Sequence, residues 1–291
     1  MEYEHQGFAT AADGTRLFWG IRGNGAAMVL SDGIGCDGWA WNQLHAHFAE
    51  SHRVLHWHYR GHGRSGSPRD PRRIDVPSLA DDLIHVMDTV DMPEAILVGH
   101  SMGTQVCLEA LRTHRSRVRA LILLAGSYGR VTRTFHGSDA LEAWLPAVIE
   151  TVRRYKGLAR AIWGRIPPRI SYRIAKMRGE IDALSLSEDV FVEYMEHLAS
   201  MDPDLFLAML ERAGEHTAED LLPSIAVPTL IVSGELDTFT PSYLSDRMAE
   251  TIPNSEYLRI PGATHAAPIE QPVIVATRID KFLRERLKEN P

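Results

Sequence analysis

The sequence predicts an α/β protein: a mostly parallel sheet flanked by helices and interrupted once by an inserted helical segment. Three features carry that expectation. Short apolar runs alternate with helically spaced segments through the first 127 residues, the alternation stops after Gly126, and it resumes at Thr229. Strands separated by helices run parallel, because each crossover returns the chain to the same end of the sheet.

Residues 17–22 read as an early strand after the turn at Asp13-Gly14, and residues 27–30 as a buried strand ending in the loop Ser31-Asp32-Gly33-Ile34-Gly35. Helical spacing covers residues 39–50, a strand covers 53–59, and Gly61, Gly63 and Gly66 make the loop beyond it. Leu79, Leu83, Val86 and Met87 place a helix over 78–90. A four-residue apolar strand at 95–98, a helix at 102–113 and a strand at 120–124 complete the first part. Residues 141–214 read as helical almost throughout, with interruptions at Pro167-Pro168 and Pro203. Strands at 229–232 and 256–260 and a final helix over 272–288 follow.

At 291 residues the chain accommodates one large domain with an insertion: core segments 1–127 and 223–291, and helices over 128–222. Apolar residues make up 44% and charged residues 24%, enough for a substantial core beneath a polar surface. With 31 basic and 38 acidic side chains the net charge is −7, which argues against nucleic acid as a partner. Cys36 and Cys107 read as free thiols of a reducing compartment. Residues 1–7 carry two glutamates, a histidine and no apolar run, so they do not read as a signal peptide. No stretch approaches the ~18 apolar residues of a membrane span. The expectation is a cytoplasmic protein without stable membrane insertion.

The chemistry centres on Gly99-His100-Ser101-Met102-Gly103, a G-x-S-x-G pattern between a predicted strand and a predicted helix. That context suits a nucleophile elbow, in which a sharp turn lifts the serine hydroxyl above the sheet edge and small neighbours make room for the backbone. Serine is a weak nucleophile at neutral pH, so it needs a base, and the base needs an orienting carboxylate. Asp237 follows the strand at 229–232, with Glu235 as an alternative carboxylate close by. His265 follows the strand at 256–260 and, of 14 histidines, has the strand-end position after the acid. Three candidates thus lie beyond the carboxyl ends of three strands, where an open parallel sheet has its crevice. His100 reads as a structural neighbour of Ser101. His45 and His47 point to different faces of a helix and His56 and His58 share a strand face, but neither pair has a third ligand at convincing spacing for a metal.

Over about residues 8–287 the chain resembles the α/β-hydrolase fold family of serine hydrolases, esterase-like and with a helical cap. The resemblance rests on the Gly33 loop, Arg60-Gly61-His62-Gly63-Arg64-Ser65, the Gly99–Gly103 motif, residues 234–241, residues 262–265 and Glu270-Gln271-Pro272. It implies a triad of Ser101, Asp237 and His265, with no metal and no organic cofactor. It also implies an oxyanion hole from the backbone N–H groups of Met102 and Ile34. Two departures stand out. Asp32-Gly33 replaces the usual His-Gly, and His58 stands where many relatives carry Asp. A carboxylate in the hole would oppose the charge to be stabilised, so Asp32 is expected to point away, toward backbone or Arg60.

Serine at the elbow disfavours the haloalkane dehalogenase and epoxide hydrolase chemistries, which use aspartate there. It fits hydrolysis of small to medium apolar carboxylic esters through an acyl-enzyme. Thioesterase, lactonase, perhydrolase and carbon–carbon hydrolase activities, or a non-catalytic ligand receptor, use the same fold. Trp144, Trp163, Met195, Phe206 and Met209 are expected mainly in the core of the cap. Residues 151–178 hold nine basic and no acidic side chains, and residues 180–220 hold twelve acidic and one basic, Arg212. The plainer expectation is that these halves pair; the alternative is a basic face for anionic substrate or a membrane surface.

Overall fold

The sheet opens with a hairpin, β1 (His5–Thr10) and β2 (Arg16–Arg22), turned at Asp13-Gly14, where Gly14 has φ +86°. Six further strands follow: β3 (Ala26–Ser31), β4 (His52–Trp57), β5 (Ala95–His100), β6 (Val118–Leu124), β7 (Thr229–Gly234) and β8 (Glu256–Ile260). Their spatial order is β1-β2-β4-β3-β5-β6-β7-β8, antiparallel at β1–β2 and β2–β4 and parallel elsewhere. The computed structural model describes residues 1–165 and 167–288; Ile166 of the insertion and the last three positions of the 223–291 segment lie outside the described residues.

Side-chain alternation along the central strands builds two cores. Leu97 faces α2 (Val76–Thr89) and α3 (Met102–Thr113) together with Val29, Leu55, Leu121 and Ile231. Ile96 and Val98 point the other way, toward α1 (Leu44–Ala49) and α12 (Pro272–Phe282), where Phe48, Ile279 and Phe282 are buried. Central strands covered on both faces carry near-continuous apolar runs, as β5 does. Asp75 caps α2 by accepting from the Ser78 N–H at 3.0 Å, a contact worth about 1 kcal/mol in such positions.

The structure differs from the sequence expectation at two places before the insertion. β1 has no counterpart in the sequence expectation: four of its six residues are exposed, so this edge strand lacks an apolar signal. The helix expected over 39–50 is a 3₁₀ turn at Trp39–Trp41 followed by the short α1. The helical stretch breaks at Pro203, as expected, and that proline opens the next helix, α9 (Pro203–Glu215), behind the Asp202 cap.

Between β6 and β7 the chain is helical: α4 (Val131–Thr134), α5 (Ala140–Arg154), α6 (Lys156–Ile162), α7 (Pro168–Arg178), α8 (Glu188–Ser200) and α9. Its charged halves pair as the plainer expectation has it. Arg153 and Lys156 reach Asp204, Arg160 reaches Asp202 and Arg169 reaches Glu188. Met209 is fully buried and Trp163, Met195 and Phe206 are half-buried, but Trp144 is 70% exposed on the outer face of α5 rather than in a core. The Trp39 Nε1–H donates to the Val190 carbonyl at 2.8 Å and its ring packs on Tyr194, tying α8 to the turn between β3 and α1.

Beyond β7 come α10 (Ser242–Thr251), α11 (Ala267–Glu270) and α12. Both cysteines are buried free thiols. Among the described residues, no helix is long and apolar enough to cross a membrane.

Candidate active site

β5 ends at His100 and α3 begins at Met102, so Ser101 makes the whole turn, with φ +54° and ψ −119°. That region is costly for a side chain with a Cβ, about 1–3 kcal/mol, and persists only where its surroundings enforce it. Here the Ser101 N–H donates to the Leu124 carbonyl at 3.0 Å and its carbonyl accepts from the Thr104 N–H at 3.0 Å. Gly103 permits the turn, because a Cβ there would stand 2.2 Å from the Ser31 carbonyl oxygen.

Beyond the ends of β7 and β8 the other two side chains meet Ser101. The Ser101 Oγ lies 3.0 Å from the His265 Nε2, and the His265 Nδ1 lies 2.9 Å from the Asp237 Oδ2. Because a carboxylate only accepts, Nδ1 carries the proton of neutral His265, which leaves the Nε2 lone pair for the serine O–H. Asp237 is buried and fully engaged: its Oδ1 accepts from the Phe239 and Thr240 N–H groups, each at 2.9 Å. Glu235 is diverted elsewhere, accepting from the Gly262 N–H at 3.0 Å on the surface.

Several contributors were not legible in the sequence. The Thr240 Oγ1 lies 2.9 Å from the Asp237 Oδ2, 2.9 Å from the Ala125 carbonyl and 3.3 Å from the His265 Nδ1. Phe239 stacks on the His265 ring at 5.1 Å, and Phe135 meets Phe239 edge-on at 4.9 Å. The Glu270 Oε1 accepts from the Asp182 N–H and the Thr264 Oγ1, each at 2.7 Å, while its Oε2 accepts from the Thr264 N–H at 2.8 Å. Only the Glu-x-Pro motif hinted at Glu270. His100 is a structural neighbour, as expected: it is buried, and its Nε2 donates to the His265 carbonyl at 3.1 Å. Burial above all pushes His100 down to about 3, so its ring is neutral.

The loop after β3 passes beside Ser101, where a Cβ on Gly33 would stand 3.1 Å from the Ser101 Cβ. Neither the Ile34 N–H nor the Met102 N–H has an acceptor among the described residues. For Met102 this is the donor that any helix start leaves open. Asp32 points away from that space, but not to Arg60. Its Oδ2 lies 2.8 Å from the His56 Nε2, and its backbone carbonyl accepts from the Tyr59 O–H at 2.7 Å. Arg60 is taken by two other carboxylates, Asp82 in a bidentate pair at 2.6 and 2.7 Å and Asp13 at 2.9 Å. The planar guanidinium matches the α2 carboxylate in a fork and is held there, turned to Asp82 and Asp13 and not to Asp32. The His56 and His58 rings are neighbours, centroids 5.1 Å apart. Even so, no group of three or more His, Cys, Asp or Glu side chains among the described residues is placed to hold a metal ion.

A serine on a strand–helix elbow, joined through a histidine to a carboxylate at one edge of a mostly parallel sheet, is the arrangement of an alpha/beta hydrolase. The chain belongs to the alpha/beta hydrolase fold family, which it matches over residues 26–272. It is 27% identical over 268 residues to the RutD carbamate hydrolase candidate of Azorhizobium caulinodans, covering 91% of this chain and 92% of that one. It is 26% identical over 247 residues to 3-oxoadipate enol-lactonase 2 of Acinetobacter baylyi, 84% of each chain. The structure of a thermophilic esterase from Thermogutta terrifontis superposes with a TM-score of 0.76 at 25% identity, over 97% of this chain and 98% of that one.

Proposed function

We propose that the protein is a serine hydrolase that cleaves carboxylic esters of small to medium apolar substrates through an acyl-enzyme. The observation that carries this reading is the unbroken hydrogen-bonded line from Ser101 through His265 to Asp237, with distances of 3.0 and 2.9 Å. In the proposed reaction the His265 Nε2 takes the serine proton as Oγ attacks the ester carbonyl carbon. The resulting oxyanion is met by the N–H groups of Ile34 and Met102, each such donor being worth about 3 kcal/mol in related sites. His265 then returns its proton to the leaving alcohol, and the acyl group stays on Ser101. A water activated by His265 releases the acid and restores the serine. Asp237 keeps Nδ1 protonated throughout and stabilises the imidazolium.

Residues 128–222 act as the cap in this reading. Leu198 of α8 and Phe206 of α9 approach Gly35 so closely that a Cβ there would lie 2.9 and 3.2 Å from them. Together with Phe239 they make the surroundings of the hole apolar, which suits an uncharged acyl chain better than a carboxylate. The lactonase and esterase names among the similar proteins agree with attack on an ester carbonyl.

A fluorophosphonate probe is expected to label the wild type and not Ser101→Ala, and p-nitrophenyl esters from C2 to C12 are expected to turn over with a chain-length optimum. An unlabelled wild type would sink the assignment of Ser101. Labelling without ester turnover at any length would instead favour carbon–carbon bond hydrolysis or a receptor role.

A further inference from the structure

His62 lies in the loop beyond β4, in the Arg60–Ser65 motif that the proposed reaction leaves without a task. Its position is fixed at both ends. The His62 N–H donates to the Tyr59 carbonyl at 3.0 Å, its carbonyl accepts from the Ser65 N–H at 2.9 Å, and Gly61 and Gly63 on either side have positive φ. The side chain is wholly buried. Its Nδ1 lies 3.2 Å from the Arg60 carbonyl, which can only accept, so Nδ1 carries the ring proton. The Nε2 lone pair is therefore free, and the Gly35 N–H donates to it at 3.1 Å.

Gly35 directly follows Ile34. It is held between the His62 ring on one side and Leu198 and Phe206 on the other, while Gly33 abuts Ser101. The Ile34 N–H lies in the Gly33–Ile34 peptide, whose carbonyl accepts the Cys36 N–H at 3.3 Å, and the next peptide plane is fixed by the Gly35 N–H on His62. We propose that His62 is a positioning residue for the oxyanion hole: by accepting the Gly35 N–H it holds the Ile34 N–H toward the Ser101 hydroxyl. The inference rests on the serine-hydrolase reading above. A merely space-filling ring would do as well with any apolar replacement; an acceptor for Gly35 would not.

The ring is suited to that task because it stays neutral. Burial above all holds His62 down to about 4, and a protonated ring would set one N–H against another. The titratable groups that face it are Asp37 and His197, which pair with each other at 3.0 Å, His58, and the Tyr59 ring, whose centroid lies 5.5 Å away.

The test compares the second-order rate of fluorophosphonate labelling in wild type, His62→Leu, His62→Asn and His62→Gln, since phosphonylation develops negative oxygen in the same hole. Glutamine reaches about as far as Nε2 and offers an oxygen to Gly35; asparagine ends short, and leucine has no acceptor. Leucine and asparagine are expected to slow labelling by roughly 10- to 100-fold, short of the ~10²–10³ lost with a whole donor. Glutamine should return most of the rate. Ester KM should shift less than about 3-fold while kcat falls with the labelling rate. Wild-type labelling rates in the leucine and asparagine variants would overturn the inference and leave Ser101 intact as the nucleophile. So would a glutamine variant as slow as leucine. A wild type that does not label fails the serine-hydrolase reading itself.

Discussion

The Asp32 carboxylate and the His56 imidazole, both closed off from solvent, face each other at 2.8 Å immediately behind the loop beside Ser101. His56 in turn accepts the Tyr3 O–H at its Nδ1, 2.7 Å away, so a phenol from the N-terminal segment completes the line. A buried carboxylate that loses its donor cannot be rehydrated, whereas an amide in the same place costs much less. His56→Leu is therefore expected to destabilise the fold by on the order of 3 kcal/mol, and Asp32→Asn by clearly less. Urea denaturation measures both. Equal losses, or a neutral His56→Leu, would contradict the pairing as a source of stability.

Thr240 offers its hydroxyl to the carboxylate that orients His265. Thr240→Val keeps the shape and removes the O–H, and kcat should fall about 10-fold, well short of the ~10⁴-fold that follows loss of such a carboxylate's function. Thr240→Ser should recover most of the activity. Steady-state kinetics on a p-nitrophenyl ester decide it, and a valine variant at full kcat would remove Thr240 from the arrangement.

Glu270 ties the insertion to the turn that carries His265, since Asp182 and Thr264 donate to one carboxylate. Glu270→Ala strands three donors in a buried place, at roughly 1–3 kcal/mol for each one left without a partner. The expected outcome is a lower Tm together with a raised KM and a lowered kcat, because both the seat of residue 182 and the approach to His265 loosen. An alanine variant that loses Tm alone would mean that the contact is structural glue.

Buried neutral histidines make the fold sensitive to mild acid. Burial pushes His62 to about 4, His100 to about 3 and His58 well below its ordinary value of 6.5. In the unfolded chain these rings take up protons near pH 6.5, while the folded chain keeps them neutral. Their contribution is thus fully present above about pH 6.5 and is lost as pH falls through the folded values, toward about 4 and then 3. Tm measured from pH 7.5 to 4 should decline steadily below about 6.5. A flat profile to pH 4 would mean that these rings are protonated or hydrated in the native state.

Much of this arrangement was legible in the sequence where a strand announced itself by an apolar run. β5 to β8 fall within two residues of expectation, and α3 matches from Met102 to Thr113. Ser101, Asp237 and His265 stand out by position: Ser101 directly follows β5, and Asp237 and His265 lie three and five residues beyond the ends of β7 and β8. What escaped depends on pairing across the sheet. β1 has an exposed, polar sequence and exists because β2 offers it an edge. The partner of Asp32 is set by the parallel register that places Leu30 beside His56, which neither strand states alone. Thr240 and Glu270 look like ordinary loop and helix residues until the folded chain brings Ala125 and Asp182 to them. Trp144 fits the helical period of α5 but is 70% exposed.

Trp39 lies in the 3₁₀ turn between β3 and α1, yet its indole N–H is spent on α8 and its ring lies against Tyr194. The same residue that fastens the insertion is therefore an intrinsic fluorophore at the seam. Separation of α8 from the core would pass the indole from a dry, hydrogen-bonded setting into water and shift its emission to the red. Any such separation would be written into the protein's own light, and a Trp39→Phe control would isolate that signal from the five other tryptophans.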